Sequence, residues 1–556
     1  MTSRKSPERS PRAKKVGGGK SGPLAHLFDG VDDDQLAMLQ QLLQSALTQN
    51  THSFPSGDVV DLFKGYLSAF NRSDGAEYKS IERLPELLGE LSDLQISSNG
   101  GDPVARSQMN EILSLLEDAV TSQSLHLVDM VVTGKMLFEA RWAVPEVLRV
   151  AIERELAKVG VSGSLGNEVN GFLYDFARSM HLSMDDVFFS FEQLSSLVAV
   201  LPRKRAAELV YSLATDPNPA IRHASIGFIL NPDSAISESA LGGLVDFSKN
   251  DPVSSLVIER LVRIRTWMSG PLVAKLDQAI RSMRLKALPP VKAEGAKIQK
   301  VCVSICDGTG TRSVFVTQKN GRRYQFVSAM LKLTGIAECL VIRDLSKAEL
   351  AGIIRQFESG IILVEARLDL FQRMLSLSIA DGLRTGNVPP YTFVDLQEAL
   401  GLAPVQPDNA SPMEIISELL SDQPDGEIGP EAVRLAHHEI MDFDFDDQWH
   451  EAGEALEKTL LGVKGTNRRV KKLLTDHLPA RREFWTRQFA ISALALHGDK
   501  KSVDAPWRTM ALIGRDLGSG YPLETMPIMR EVASLSVRAF EQRLALGAFS
   551  GGAARV

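Results

Sequence analysis

Cysteine is scarce in this chain of 556 residues, which carries only Cys302, Cys306 and Cys339. A secreted protein of this length usually has more cysteines and an even number of them, because disulfides form in oxidising compartments. The composition therefore predicts a cytoplasmic protein. On one strand, Cys302 and Cys306 would lie roughly 13 Å apart at ~3.3 Å per residue, too far for a disulfide and poorly suited to a shared zinc ion. We expect buried thiols that pack as small apolar groups.

Long apolar runs are absent too. No run reaches the ~18–20 residues of a membrane-spanning helix, so we expect no membrane partner. The first 24 residues are basic and lack the apolar centre of a signal peptide. Aromatic residues make up only 6% of the chain, which favours helices over sheets. The formal net charge of -7 argues against a protein that coats nucleic acid with its whole surface, although a local basic face is compatible with it.

Several familiar catalytic motifs are missing. The chain has no G-x-S-x-G nucleophile elbow, no H-E-x-x-H zinc motif and no C-x-x-C redox motif. These absences argue against a familiar enzyme, and we predict no cofactor and no bound metal. An enzyme with an unfamiliar phosphate or metal site stays an alternative, for which residues 307–311 and 437–451 are the two candidate segments.

The chain divides where its composition changes. Apolar residues repeat at i, i+3 and i+4 from Leu36 to Leu47, and similar stretches continue to about residue 200, which predicts amphipathic helices. Pro, Gly, Asp and Ser are concentrated in two segments that are predicted to be linkers. The predicted organisation is a disordered basic tail (1–24), a helical array (25–286), a linker (287–298), a small β-meander with helices (299–401), a second linker (402–430), a C-terminal helical domain (431–545) and a tail (546–556).

Residues 216–225, DPNPAIRHAS, lie between two amphipathic stretches. A second Asp-Pro pair follows at Asp251 and Pro252, a spacing typical of helical repeats. The stretch resembles the turn between the helices of a HEAT or armadillo repeat, which has Asp, Pro, Val and Arg at fixed places. The residues at those places are Asp216, Pro217, Ile221 and Arg222. The resemblance implies that the aspartate and the arginine tie neighbouring repeats together; the second copy departs from the pattern, since Val257 replaces the arginine.

The pattern changes between residues 299 and 343, where β-branched residues become frequent and apolar residues recur with period two. Four strands are predicted, within KVCVSIC, SVFVTQ, RRYQFVSAML and AECLVIRD. Asn320-Gly321 is a strong signal for a tight hairpin between the second and third strands. A helix is predicted at about 362–384. Its apolar face would consist of Val364, Leu368, Phe371, Leu375 and Ile379.

Between the first two predicted strands lies DGTGT, residues 307–311. It is similar to the first phosphate loop of the actin-like sugar kinases and chaperone ATPases, in which Gly and Thr or Ser groups face a phosphate. It departs from that loop at Thr309, where the family has glycine, and only helices follow where the family has a second phosphate loop in a large α/β domain. We therefore expect a hairpin loop, in which Gly308 and Gly310 are free to adopt positive φ, and we transfer no functional residue.

Histidines and carboxylates are concentrated in residues 437–451, HHEIMDFDFDDQWHE. Asp442, Asp444 and Asp446 begin like a calcium-binding loop, but the turn glycine and the final glutamate are missing. The candidate ligands for a transition metal are His437, His438, Asp442 and His450, which lack the spacing of a helical zinc motif. We expect instead an acidic loop that caps a helix near Trp449, since carboxylates are favourable at a helix N-terminus.

A basic stretch follows at residues 464–487, with eight cations against two acids. The cations are Lys464, Arg468, Arg469, Lys471, Lys472, Arg481, Arg482 and Arg487. A solvated face, or pairing with the acidic loop upstream, is the simpler interpretation. Contact with nucleic acid or another polyanion is the alternative.

Together these observations predict a mainly α protein, in which a HEAT-like array (an α-solenoid) precedes a small four-stranded antiparallel meander and a C-terminal helical domain. Stacked helix pairs form long surfaces that suit partner proteins. The favoured function is a non-enzymatic scaffold or adaptor with a protein partner. Binding of nucleic acid or another polyanion through the basic tail and the 464–487 stretch is the second hypothesis, and an unfamiliar enzyme is the third.

Overall fold

A computed structural model of the protein describes residues 59–69, 84–99, 102–160, 173–174, 177–178, 183–184, 186–287, 296–358, 362–442, 449–498 and 506–552. The predicted basic tail (1–24) and the predicted helix from Leu36 to Leu47 lie outside these residues, as does most of the predicted linker 287–298.

Helices dominate the described chain up to residue 287. They are Val59–Ala69 (α1), Leu84–Asn99 (α2), Pro103–Thr121 (α3), Leu127–Glu139 (α4), Glu146–Gly160 (α5), Val187–Val200 (α6), Arg203–Ala214 (α7), Pro219–Ser225 (α8), Ser234–Asn250 (α9), Ser255–Arg265 (α10) and Pro271–Arg284 (α11). A 3₁₀ turn, Ile226–Leu230, continues α8. Side chains cap several of these helices: Asn218 accepts from Ala220 N, and Asp233 accepts from Ala235 N. Neighbouring helices pack in succession, α4 against α6, α7 against α9, and α10 against α11.

The sheet is antiparallel and has five strands in the order β4-β3-β2-β1-β5. The strands are Lys297–Ser304 (β1), Arg312–Asn320 (β2), Arg323–Lys332 (β3), Gly335–Leu345 (β4) and Leu363–Glu365 (β5). The four predicted strands are all present, and the hairpin signalled by Asn320-Gly321 is confirmed, since Asn320 pairs with Arg323 across the turn. Gly321 takes a φ of 58° there.

The prediction of four strands was wrong by one. Leu363–Glu365 pairs with β1, so that Cys302 lies opposite Glu365. These residues fall at the start of the predicted helix 362–384, which begins only at Leu368. Val364 has the helical spacing to Leu368 and the apolar residues after it, so this spacing predicts a helix that begins too early. A strand of three residues is too short to show the alternation that would identify it.

Both faces of the sheet are covered. Lys347–Glu358 (α12) packs on one face, over Phe315, Phe326 and Cys302. The other face, with Val314 and Val316, joins the main core, against which Leu368–Arg384 (α13) and Thr392–Ala399 (α14) pack. Burial on both sides explains why β2 is apolar at consecutive positions. All three cysteines are buried and none forms a disulfide with another described residue, which confirms the prediction of buried thiols.

The C-terminal part is helical, as predicted. Its helices are Pro412–Leu420 (α15), Asp425–Ile428 (α16), Pro430–Glu439 (α17), Glu454–Leu460 (α18), Thr466–Lys472 (α19), Arg482–His497 (α20), Trp507–Gly518 (α21) and Pro527–Gly552 (α22). A π turn, Leu473–His477, and a 3₁₀ turn, Leu478–Arg481, connect α19 to α20.

Two segments contain more structure than their composition predicts. The predicted linker 402–430 contains α15, which has a capping box between Ser411 and Glu414 and buries Ile415 and Ile416 against α20 and α21. The predicted tail 546–556 is helical as far as Gly552, and residues 553–556 lie outside the described part.

The sheet and its helices lie between the helices α1–α11, which the sequence predicts to form an array, and the C-terminal helices. On one side, Trp267 of the array packs against Phe393 of α14 with ring centroids 5.2 Å apart. On the other side, Trp449 Nε1 donates to the carbonyl oxygen of Cys306 at 3.0 Å, and Cys306 N donates to Ser492 Oγ of α20. Within the described residues, no helix combines the length and the apolar character needed to cross a membrane.

Candidate protein-binding groove

The turn for which the sequence suggests a HEAT resemblance, residues 216–222, which we call the HEAT-like turn, is built around Asp216, which is 1% exposed. Its Oδ1 accepts from Asn218 N at 2.6 Å, and its Oδ2 accepts from Tyr174 of the preceding segment. Arg222 Nη1 donates to the backbone oxygens of Asp216, at 2.6 Å, and of the exposed Pro217, at 3.3 Å. The Arg222 guanidinium also lies 3.8 Å from the ring centroid of Phe247 on α9. The turn therefore contacts a segment before it and a helix after it.

Ile221 occupies the apolar place of the same turn and is 1% exposed. Its neighbour His223 is also buried, and its Nδ1 lies 3.1 Å from Arg260 Nη1. Burial, together with the charges of Arg260 and Arg222, lowers the pKa of His223 to about 3. The imidazole is therefore neutral at neutral pH and accepts a hydrogen bond from Arg260.

Two neighbouring clefts cross the outer surface of the array and share Arg203. The first has a volume of about 590 Å³ and is bounded by α4, α5, α6 and the start of α7. The second, of about 680 Å³, lies between α7 and α9. Because they meet at Arg203, we call the two clefts together the array groove. Its lining includes Phe138, Arg149, Val150, Arg203, Tyr211 and Ala235.

The array groove exposes apolar side chains. Val150 is 60% exposed, Tyr211 41% and Phe138 37%. Val150 lies on α5 beside Arg149 and Glu153, at a position where an amphipathic helix usually carries a polar residue. Exposed apolar side chains gathered in a concave surface are typical of protein-binding sites, whereas single ones scattered over a surface are not.

Charged side chains in the array groove are already paired within the protein. Arg203 Nε lies 2.8 Å from Asp233 Oδ2, which ties the start of α7 to the start of α9. Arg149 donates from Nε and Nη2 to the backbone oxygen of Ala199, at 3.2 and 3.0 Å. Lys204 Nζ lies 3.9 Å from Glu208 Oε1. The contacts of Arg203 and Arg149 join neighbouring helices that line the groove. The lining has no strong excess of either charge.

The 307–311 loop is a hairpin turn, as predicted. Asp307 N donates to Thr311 O at 2.9 Å, and Gly310 N donates to Asp307 O at 3.0 Å, with Gly310 at a φ of 83°. Asp307 Oδ1 accepts from Thr309 N and Thr311 N, at 2.8 and 2.9 Å. Because Asp307 accepts from the amides of residues 309, 310 and 311, these three amides are not free to face a phosphate.

The candidate metal ligands in residues 437–451 do not form a site among the described residues. His437 Nε2 lies 3.0 Å from Asp516 of α21, and its ring stacks on Tyr521. His438 and Asp442 are exposed. No group of three His, Cys, Asp or Glu side chains in the described chain is placed to hold a metal ion. Asp444 and Asp446 lie outside the described residues, and the next helix begins at Glu454, five residues after Trp449.

The eight cations of the basic stretch fall into two groups, those that pair with other groups of the protein and those that are exposed. Five of them contact other parts of the protein, and Arg487 among these is buried. Their contacts are Arg469 with Glu541, Lys472 with Asp476, Arg481 with Glu451, Arg482 with the backbone oxygens of Leu517 and Tyr521, and Arg487 with Asp381. The other three, Lys464, Arg468 and Lys471, are exposed and make no ion pair with another described residue. Of the eight cations, these three are the ones that pair with no carboxylate or backbone oxygen of the described residues.

Arg481 has a structural role, because it contacts the buried carboxylate of Glu451. Its Oε1 accepts from Trp485 Nε1 at 2.8 Å and from Arg481 Nε at 3.0 Å, and His477 lies 3.4 Å from Oε2. Burial by itself would raise the pKa of Glu451, but His477 and Arg481 hold it below its usual value. Arg481 therefore stabilises a buried carboxylate of the C-terminal part.

Two segments match known family models. Residues 202–287, which contain the HEAT-like turn and part of the array groove, match the Y4lR second domain. Residues 414–541 match the Y4lR C-terminal helical domain. The chain is thus similar to Y4lR. Neither model describes a HEAT or armadillo repeat, so that resemblance stays a prediction.

The similarity extends beyond the two segments. Over 409 residues the chain is 22% identical to the uncharacterized protein y4lR of Sinorhizobium fredii (strain NBRC 101917 / NGR234), and the alignment covers 71% of this chain and 76% of that relative. No solved structure matches the chain.

Proposed function

We propose that the protein is a non-enzymatic, cytoplasmic scaffold or adaptor that binds a partner protein in the array groove. The observation that carries this proposal is the row of exposed apolar side chains, Phe138, Val150 and Tyr211, along two clefts that share Arg203. Such a row suits a polypeptide segment that crosses successive helices of a HEAT-like array.

The chemistry of the groove limits the partner. Its arginines, Arg203 and Arg149, are paired with Asp233 and with the backbone oxygen of Ala199, so a highly charged segment would gain little there. We infer that the partner inserts apolar side chains between the helices and places polar groups along the rim. Each cleft has room for a few side chains and does not enclose a small molecule on all sides.

The proposal is tested by placing photoreactive benzoylphenylalanine at Val150, at Tyr211, or at Ile96 as the control, in the full chain produced in its native cell. Ile96 is 68% exposed on α2 and lines neither cleft. We expect the same protein to be crosslinked from positions 150 and 211 but not from 96, and mass spectrometry to map the crosslinks to one segment of it. Equal crosslinking from all three positions would contradict the proposal.

A charge substitution provides the second arm of this test. Val150→Arg should reduce recovery of the crosslinked partner from position 211 at least tenfold, whereas Ile96→Arg should leave it unchanged. Both side chains are exposed, so we expect neither substitution to alter the thermal unfolding midpoint. Undiminished recovery with Val150→Arg would exclude the groove as the binding surface.

Polyanion binding is the second candidate function, and the exposed trio Lys464, Arg468 and Lys471 supports it. Three phosphate contacts correspond to a salt dependence, d log K/d log[salt], of about -2 to -3. Replacing all three residues with Gln should remove that dependence for a single-stranded oligonucleotide. A nuclease step before crosslinking distinguishes the two candidates, because a partner held by the groove survives it.

A further inference from the structure

A cluster of polar side chains lies buried where the sheet meets the C-terminal helices. Arg312 of β2 and Arg487 and Gln488 of α20 are all at most 4% exposed. The two arginines face one turn of α13: Arg312 Nη2 donates to Ser378 Oγ, and Arg487 Nη2 lies 2.9 Å from Asp381 Oδ1. Gln488 follows Arg487 on α20, and its Nε2 lies 3.0 Å from the place a Cβ of Gly310 would take, in the loop that precedes β2. Since positions 378 and 381 are neighbours on one helix face, the two guanidinium groups lie close together.

The charges of this cluster do not balance. Two buried arginines face one buried carboxylate, Asp381, and Arg384, which also contacts Asp381, adds a further positive charge at the rim. Burial lowers the pKa of Arg487, Asp381 opposes that shift, and Arg312 and Arg384 add to it. Buried charge that lacks a counter-ion strongly destabilises a folded protein.

Among the described residues, no carboxylate other than Asp381 forms an ion pair with Arg312 or Arg487. Burial raises the pKa of the Cys306 thiol beside Arg312, so that it is a neutral thiol and not a thiolate. Asp307 uses Oδ1 within its own loop. Asp408 is paired instead with Arg373, at 3.5 Å.

Hydrogen-bonding capacity is also unbalanced. Five buried nitrogens make no hydrogen bond with a described residue, namely Arg312 Nε and Nη1, Arg487 Nε and Nη2, and Gln488 Nε2. Of these, Arg487 Nη2 has its ion contact with Asp381. Only two oxygens of the cluster, Asp381 Oδ2 and Gln488 Oε1, are unused acceptors. Guanidinium groups recognise tetrahedral oxyanions by paired N–H donors, and an oxyanion supplies acceptors only.

We propose that Arg312, Arg487 and Gln488 bind an inorganic oxyanion of the phosphate or sulfate class at this junction, with Arg384 at its entrance. Arg384 is 54% exposed while it contacts the buried Asp381, so it connects the cluster to solvent. The anion joins β2 to α20 and thereby fastens the C-terminal helices to the sheet. This site is separate from the array groove and does not depend on the proposed function.

The test uses the full chain in sodium phosphate, sodium sulfate or sodium chloride at equal ionic strength. For a site with a Kd of about 1 mM or below, about 10 mM phosphate or sulfate should raise the thermal unfolding midpoint by about 2 °C or more over chloride. Titration calorimetry with phosphate should show one site. Equal midpoints in all three salts would overturn the proposal. Glycerol phosphate forms a further arm: stabilisation equal to that by phosphate would show that the site accepts the phosphoryl group of a larger molecule.

Gln488→Glu is the decisive variant, because it supplies a carboxylate to the two arginines without a change of length. We expect it to raise the midpoint in chloride and to abolish the response to phosphate. Arg373→Gln is the control, since Arg373 lies on α13, the helix that the two arginines face, but pairs with Asp408 and Glu418. Its response to phosphate should persist. Retention of the full response by Gln488→Glu would overturn the proposal even if variants of Arg312 and Arg487 fail to fold.

Discussion

Arg260 of α10 and Glu398 of α14 form a two-point ion pair, in which Arg260 Nε and Nη2 each lie 2.8 Å from a separate carboxylate oxygen. Arg260 is 4% exposed. The third nitrogen, Nη1, lies 3.1 Å from His223 Nδ1. One guanidinium therefore connects the HEAT-like turn to the helix beside the sheet.

Removing Glu398 should leave that guanidinium buried without its partner. We expect Glu398→Ala to lower the free energy of unfolding by about 3 kcal/mol, as is usual for a broken buried pair. Asp277→Ala is the control, because Asp277 pairs with Arg265 on the surface and its loss should matter little. Urea unfolding followed by circular dichroism measures both. Similar losses for the two variants would show that the Arg260 pair is not effectively buried.

His223 should make the protein sensitive to acid. Its pKa is about 3 in the folded protein, below the usual value of 6.5, so the unfolded chain binds a proton that the folded chain excludes. The contribution of His223 is complete above pH 6.5 and is lost as the pH falls from 6.5 towards 3, by at most about 1.4 kcal/mol per pH unit.

The corresponding measurement is the free energy of unfolding between pH 7 and pH 4.5. His223→Gln keeps an acceptor for Arg260 but cannot be protonated, so its stability should fall less steeply with acid than that of the natural protein. His438→Gln changes an exposed histidine and serves as the control. The interpretation is wrong if the free energy of unfolding falls with pH equally steeply in the natural protein and in His223→Gln, but less steeply in His438→Gln. In that case the buried imidazole of His223 is not the group whose protonation destabilises the protein.

Ile221 should be indispensable to the packing of the array. It is 1% exposed, so Ile221→Asp places an unpaired charge in the core and should cost ~3 kcal/mol or more. Ile96→Asp, at a position 68% exposed, provides the comparison and should change the unfolding midpoint little. A mild effect of Ile221→Asp would refute the packing assigned to this turn.

The two hairpin glycines should respond differently to alanine. Both have positive φ, but a Cβ at Gly310 would meet Leu333 Cγ at 2.8 Å and Gln488 Nε2 at 3.0 Å, whereas at Gly321 it would meet nothing within 4 Å. Gly321→Ala should therefore cost about 1 kcal/mol from backbone conformation alone, and Gly310→Ala about 2–3 kcal/mol. Thermal unfolding of both variants gives the difference, and equal costs would mean that the Gly310 loop moves freely.

Local signals in the sequence were sufficient for the helices and hairpins. Asn320-Gly321 specifies a turn from two residues, and alternation gives the strands around it. The strand Leu363–Glu365 could not be found this way, since its partner β1 is some 60 residues distant in the chain and three residues carry no pattern. The helix α15 was obscured by its Pro and Ser content, although Ser411 and Glu414 have the spacing of a capping box.

The candidate sites were harder to predict because they depend on distant contacts. Arg487 looks like one of a row of surface cations, and only the fold shows that it faces Asp381, about 100 residues earlier. Val150 and Tyr211 resemble ordinary helix residues until the packing of α5, α7 and α9 leaves them exposed in one groove. The period of a helix reveals which residues share a face, but not which faces remain uncovered.

The hydrogen bond from Trp449 to the backbone of Cys306 affects whether the protein could be cut into separate domains, in the laboratory or during evolution. The segments that resemble Y4lR domains, residues 202–287 and 414–541, each bury side chains against the sheet and its helices: Trp267 and Arg260 in the first, Trp449 and Arg487 in the second. A fragment cut at either boundary would present tryptophan and arginine to water on a surface that had been interior. We therefore expect the N-terminal helices, the sheet with its helices and the C-terminal helices to be stable only together, within one chain.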